Sequence, residues 1–433
     1  MIRVRFLALS TLVLASAVSI RGENWPQWRG PGGQGVSSET KLPTTWAPGK
    51  NILWKTELPG TGHSSPVVWG DRVFVTAVIE GEAVPGQQAA PHTQGGKPFV
   101  HPDSVAADKK HTFKVVALDS KTGKILWDKT AYDGTVFDAR HRRSSFAGPT
   151  PATDGTMIYA YFGPEGLYAY DFEGNEKWKV VEKFPTLGLA AGTSPVLHEN
   201  LVIIQRDEDN GDNSVIVAYD KKTGKEAWRT KRDTQITWGT PVIVQAGGRA
   251  ELVTNGTESI IAYDPANGKE LWRTDGVRSN AIHTPLVGKG LVIVTAGYPA
   301  KKVIAIRPGT AQKRVAWEYS KGTGYVVSNI LYGDYLYLLT DNGIVTCLNP
   351  ETGEVKYEGG RIPKPARFMG SPVAFSGFVA MTSEDGDTFM LKAGPSHEIS
   401  MTNSLEEPVY SSPALSNGRI YIRGDKHLFA IGQ

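Results

Sequence analysis

Ala117-Leu118-Asp119-Ser120-Lys121-Thr122-Gly123-Lys124-Ile125-Leu126-Trp127 points to the fold, because the chain repeats it. The phrase returns as Ala218-Tyr219-Asp220 through Thr223-Gly224 to Trp228, and as Ala262-Tyr263-Asp264 through Asn267-Gly268 to Trp272. Weaker copies run from Ala169 to Trp178, from Ala305 to Trp317, and from Cys347 through Thr352-Gly353 to Tyr357. Asp followed by Thr-Gly is turn chemistry: the carboxylate accepts amides two residues on, and Gly supplies a positive φ. The Trp is expected to close the strand that follows. A large flat ring at that place is expected to pack on the Gly-containing turn of the neighbouring unit.

A second phrase, Ser/Thr-Pro followed by apolar residues and a turn, precedes each copy. It stands at Ser65-Pro66, Thr150-Pro151, Ser194-Pro195, Thr240-Pro241, Thr284-Pro285, Ser371-Pro372 and Ser412-Pro413, with a degenerate copy at Asn329-Ile330. From Pro151 onward the spacing is 44, 46, 44, 45, 42 and 41 residues. Four short strands in a period of about 40–45 residues are the arithmetic of a β-propeller blade. The first interval, 85 residues, holds a polar stretch, so an insertion is expected over about 79–111.

The expected fold is therefore all-β: an eight-bladed propeller of four-stranded antiparallel blades over 51–433. The last repeat supplies three strands, and Asn51 to Leu58 resembles the missing outermost one. The ring is thus expected to close on an N-terminal strand, which removes an exposed edge. Residues 23–50 form an N-terminal extension. Residues 1–22, with Arg3 and Arg5 before the apolar run Phe6 to Ile20, read as a signal peptide. A periplasmic or secreted monomer with no transmembrane segment is expected.

Composition excludes several classes. Formal net charge is +3 in 433 residues, which makes no electrostatic case for nucleic acid. The lone cysteine, Cys347, rules out an intrachain disulfide and any cluster built on cysteines. No Ser-His-Asp order, phosphate loop or His-Glu-x-x-His motif occurs.

The repeated phrase resembles the propeller repeat of the pyrroloquinoline-quinone (PQQ) type, over roughly Asn51 to Gln433. The opening Asn24-Trp25-Pro26-Gln27-Trp28-Arg29-Gly30-Pro31 is similar to that of exported bacterial PQQ-like repeat proteins. The resemblance implies one of two roles. One is a quinoprotein dehydrogenase holding PQQ and Ca²⁺; the other is a non-enzymatic scaffold like the lipoprotein of outer-membrane β-barrel assembly. The alcohol dehydrogenase branch carries adjacent half-cystines and the lipoprotein a lipidated cysteine, and this chain has neither. The expectation is a binding or assembly scaffold without an evident catalytic site, engaging an envelope protein or a small polar ligand in an axial funnel. The alternative is a small PQQ- and Ca²⁺-dependent oxidoreductase.

Three groups of residues are candidates for binding. Arg140, His141, Arg142 and Arg143 precede an innermost strand and suit a carboxylate or phosphate, or else form a salt-bridged loop. Asp207, Asp209 and Asp212 offer oxygens to Ca²⁺, or make a polar turn, or partner that Arg cluster. His63, Trp238, Asn280, His283, Asn329, Arg367 and Tyr410 lie just ahead of the Ser/Thr-Pro phrases and are expected around one funnel.

Overall fold

A computed structural model describes residues 23–94, 96–309 and 314–433. The expected signal peptide, 1–22, lies outside the described residues. Eight four-stranded antiparallel sheets follow one another along the chain. Blade 1 holds Val67–Trp69, Arg72–Ala83, Lys109–Asp119 and Ile125–Thr135. In blade 8, Ala414–Ser416, Arg419–Arg423 and His427–Ile431 are completed by Ile52–Glu57 from the other end of the chain. The ring closes as the repeat count requires. No helix among the described residues is long and apolar enough to cross a membrane.

The repeated phrase is explained by one local geometry. The Ala of Ala-x-Asp lies directly across from the Trp: Ala117 from Trp127, Ala218 from Trp228, Ala262 from Trp272, and Ala430 from Trp54 in the closing blade. A register shift beside most of these pairs bulges the strand and leaves room for the ring. Cys347 occupies the Ala position opposite Tyr357, where burial pushes its thiol up to about 12. It is a small core residue there, not a reactive one.

The Trp rings interlock the blades. Trp54 donates to the Ser120 carbonyl at 3.1 Å, Trp127 to Phe172 at 2.8 Å, Trp178 to Lys221 at 2.9 Å and Trp317 to Pro350 at 3.0 Å. Each acceptor belongs to the Asp-x-x-Thr-Gly turn, or its equivalent, of the next blade. A Cβ on Gly224, whose φ is +68°, would lie 2.6 Å from Trp178, so only Gly fits. Trp272 departs from the pattern because the following repeat is stretched. There the Glu251 carboxylate accepts Trp272 Nε1 at 2.7 Å and Gly309 N–H at 3.1 Å, bridging the wider gap.

The Ser/Thr of the second phrase builds an inner ring. Ser65 N–H donates to Thr150 Oγ1, Thr150 N–H to Ser194 Oγ, and Ser194 N–H to Thr240 Oγ1, each at 3.0 Å. The chain of bonds resumes from Thr284 to Ser328, Ser371, Ser412 and back to Ser65, at 2.8–3.2 Å. The degenerate copy is thus shifted by one residue from the reading above. Ser328 takes the hydroxyl position and Asn329 the proline position.

Residues 23–50 form a strap across the lower face, where the innermost strands end in hairpin turns. Trp25 exchanges two 2.8 Å backbone bonds with Val68 of blade 1, and Pro26 O accepts Thr153 N–H of blade 2. Gln34 Oε1 accepts Val287 N–H of blade 5, and Gly35 O accepts Ala374 N–H of blade 7. Glu39 accepts the amides of Asn417 and Gly418 in blade 8. Trp28 Nε1 meets Thr284 Oγ1 at 2.8 Å, at the step of the inner ring between blades 4 and 5.

Candidate functional site

The opposite, upper face carries the loops that lead into the innermost strands. Within the stretch expected as an insertion, the blade 1 strands run on to Ala83 and resume at Lys109. The connection between them folds over blades 2 and 3. His92 is its anchor: Nδ1 meets Asp209 Oδ2 at 2.7 Å and Nε2 meets Asp138 Oδ1 at 2.9 Å. All three side chains are buried. Burial works to lower the His92 pKa, but the two carboxylates outweigh it and push it up to about 9. Asp138 Oδ2 also accepts Thr186 N–H and Oγ1–H at 2.6 and 2.7 Å.

Beside this cover, a pocket of about 290 Å³ opens between the loops of blades 7, 8, 1 and 2. Its floor is a ring pair, His63 against Tyr410, with centroids 4.9 Å apart and 32° between planes. Burial, and then the charges of Arg423 and Arg140, press the His63 pKa down to about 3, so its imidazole is neutral at neutral pH. Arg140, Arg142 and Arg143 line one side. Arg140 Nη1 donates to the carbonyls of His141, Arg142 and Ser144, which gives its loop a fixed shape. Its Nη2 lies 3.4 Å from Glu80, which Lys109 also holds. Arg142 pairs with Asp103, and His141 Nε2 is 3.5 Å from the same carboxylate. Arg143 reaches Glu384 of blade 7 at 2.5 Å.

The remaining candidates disperse. Asp207 is buried against Arg232 at 2.7 Å and accepts the Thr237 hydroxyl; Asp209 serves His92; Asp212 is exposed. These three do not converge, and none meets the Arg cluster, whose partners are Glu80, Asp103 and Glu384. Trp238 packs on Gly192 and donates to Ala190 O at 3.2 Å. His283 is buried, bonded to Thr295 Oγ1 at 2.6 Å, and burial lowers its pKa to about 4. Asn329 reaches the same hydroxyl at 3.1 Å. Arg367 is exposed at the rim. The side chains expected around one funnel therefore form separate clusters, and only His63 and Tyr410 line the pocket with the Arg loop. Glu80 and Glu384 were not legible in the sequence, because Glu80 lies in the extended second strand of blade 1 and Glu384 just after the second strand of blade 7, with no mark to set either apart.

Calcium takes six to eight oxygens. Of the pocket carboxylates, Glu80 and Glu384 are already bound to cationic side chains; on the Asp207–Asp212 loop, Asp207 is held by Arg232 and Thr237 and Asp209 Oδ2 by His92, while Asp212 is exposed. Among the described residues, no group of three or more His, Cys, Asp or Glu side chains is placed to hold a metal. The residues present do not fit a Ca²⁺ site.

A family model described as outer membrane protein assembly factor BamB matches residues 80–210 and 212–367. No curated protein sequence matches the chain. Among solved structures, BamB from Moraxella catarrhalis is similar with 15% identity and a TM-score of 0.55, over 82% of this chain and 98% of that one. Quinohemoprotein alcohol dehydrogenase from Comamonas testosteroni has 14% identity and a TM-score of 0.63, over 95% of this chain and 81% of that one. The computationally designed Ika8 protein has 12% identity and a TM-score of 0.60, over 88% and 100%. At these identities the likeness is one of fold.

Proposed function

Because this chain belongs to the family described as outer membrane protein assembly factor BamB, we propose that it is an exported binding or assembly scaffold of the cell envelope. Its upper face would take an envelope protein or a small polar ligand. One observation carries this reading. The chain's own strap crosses the lower face and leaves there a pocket of about 250 Å³ with no Asp, Glu, Lys or Arg in its lining, while the upper face offers a pocket lined by charged side chains from blades 1, 2, 7 and 8. Guanidinium, imidazole and carboxylate groups that already pair with one another suit exchange with a partner's polar groups.

The test is capture from an envelope extract by the purified chain, with Arg142→Glu on the upper face and Lys41→Glu on the strap as variants. A partner lost with Arg142→Glu and kept with Lys41→Glu supports the reading. The same protein is titrated with PQQ and Ca²⁺ and followed for dye reduction with alcohols and sugars. Stoichiometric binding with turnover would replace the scaffold by an oxidoreductase.

A further inference from the structure

Two fully buried arginines of the upper half are treated differently. Arg232 has a carboxylate, Asp207, on its Nε at 2.7 Å, and Thr254 and Tyr263 on Nη1. Arg423 has none in contact among the described residues: Nη1 bonds the Ser64 hydroxyl at 2.8 Å and the Thr76 carbonyl at 2.5 Å, while Nε and Nη2 are buried without partners there. Its guanidinium lies against Gly62, where a Cβ would come within 2.5 Å of Nη2. Gly62 sits between Thr61 and His63, two residues of the pocket wall. A buried cation without a contacting anion is costly; Asp425 in the pocket wall already offsets part of that cost, and a further negative group in the pocket offsets more.

Above it stands the Arg143–Glu384 pair, whose partners are 241 residues apart and belong to blades 2 and 7. The bridge spans the loops of blades 8 and 1, which carry Tyr410 and His63. The Arg143 side chain is 46% exposed, so water screens this pair and makes it exchangeable. The pocket thus holds a replaceable guanidinium, a buried cation behind the wall, a flat ring pair, and the carboxylates Glu384 and Asp425 as acceptors.

We propose that this pocket binds a small hydroxylated anion, a sugar acid or sugar phosphate. Its charged group takes Arg143 from Glu384, and its hydroxyls donate to the freed Glu384 and to Asp425. The volume of about 290 Å³ suits one sugar ring. Planar carboxylates and guanidinium groups around a ring face are the chemistry that reads hydroxyls and an acid together. The inference rests on the upper face being a binding surface, and it names the ligand class for that surface.

The test is calorimetric titration of the full chain with glucuronate, glucose 6-phosphate and neutral glucose. Glucuronate or glucose 6-phosphate is expected to bind at least tenfold tighter than glucose; whichever binds assigns the carboxylate or the phosphate. Arg143→Gln is expected to weaken the anion at least tenfold. Glu384→Gln is expected to tighten it severalfold, because Arg143 is released in advance while the amide oxygen still accepts a ligand hydroxyl. Urea midpoints of both variants, at exposed or half-buried positions, check that they fold. Equal binding of glucose, no binding of either anion at 10 mM, or unchanged affinity in Arg143→Gln would overturn the proposal. If anions fail while a partner is still captured through Arg142, this inference falls alone and the scaffold reading stands.

Discussion

Trp28 and Thr284, 256 residues apart, meet through a 2.8 Å hydrogen bond at the one step of the inner hydroxyl ring that a side chain of the strap supplies. The neighbouring Arg29 is fully buried and donates to Asn329 O of blade 6 at 2.9 Å. The strap is thus part of the propeller's core and not a tail lying on it. Trp28→Phe keeps the ring and removes the donor. A loss of about 1–2 kcal/mol is expected, read as a lower urea midpoint at unchanged m-value. An unchanged midpoint would show that the strap's Trp contributes packing alone.

The interlock of Trp and Gly makes a second prediction. Gly224 and Gly247 both have positive φ, +68° and +59°, but only Gly224 faces a ring. At Gly247 no described residue lies within 4 Å of an added Cβ. Gly247→Ala is expected to cost about 1 kcal/mol, from the left-handed backbone alone. Gly224→Ala adds a clash with Trp178 2.6 Å away and is expected to cost roughly 2–3 kcal/mol more. Paired denaturation curves decide it; equal costs would mean the blades do not rely on this contact.

His92 ties the upper-face connection to blades 2 and 3, and its charge sets a pH window. Its pKa of about 9 in the folded chain lies above the ordinary 6.5. The stabilisation is therefore fully present below pH 6.5 and is lost as pH rises through about 9. Asp138 works in the opposite direction: hydrogen bonds from His92 and Thr186 overcome burial and hold its pKa low, so its contribution fades in acid. The stability gap between the wild-type chain and His92→Gln is expected to be largest near pH 5–6 and to shrink by pH 10. Thermal unfolding across that range checks it. A gap that grows with pH would show that His92 is neutral.

Much of the architecture was legible because a propeller writes its period into the chain. The Asp-Thr-Gly turn, the Trp eight residues on and the recurring Ser/Thr-Pro were enough to count eight blades and to see that Ile52–Glu57 closes the last. Even the lone Cys347 could be placed in a repeat, although only the pairing with Tyr357 showed that it fills a small-residue slot.

The site was less legible. Arg140 to Arg143 could be singled out by residue type, yet their partners Glu80, Asp103 and Glu384 come from a strand extension and two connections that carry no repeated mark. Asp207 and Asp209 looked like neighbours on one acidic loop, but backbone direction sends one to Arg232 and the other to His92. The sequence alone determined the ring, because turn and interlock depend on residues close along the chain and recur at one spacing. The tertiary structure alone decided the strap, the pairing of His63 with Tyr410 in the pocket, and the Arg143–Glu384 bridge. Those contacts join blades far apart in sequence, and their strength comes from burial and charge compensation that no local spacing records.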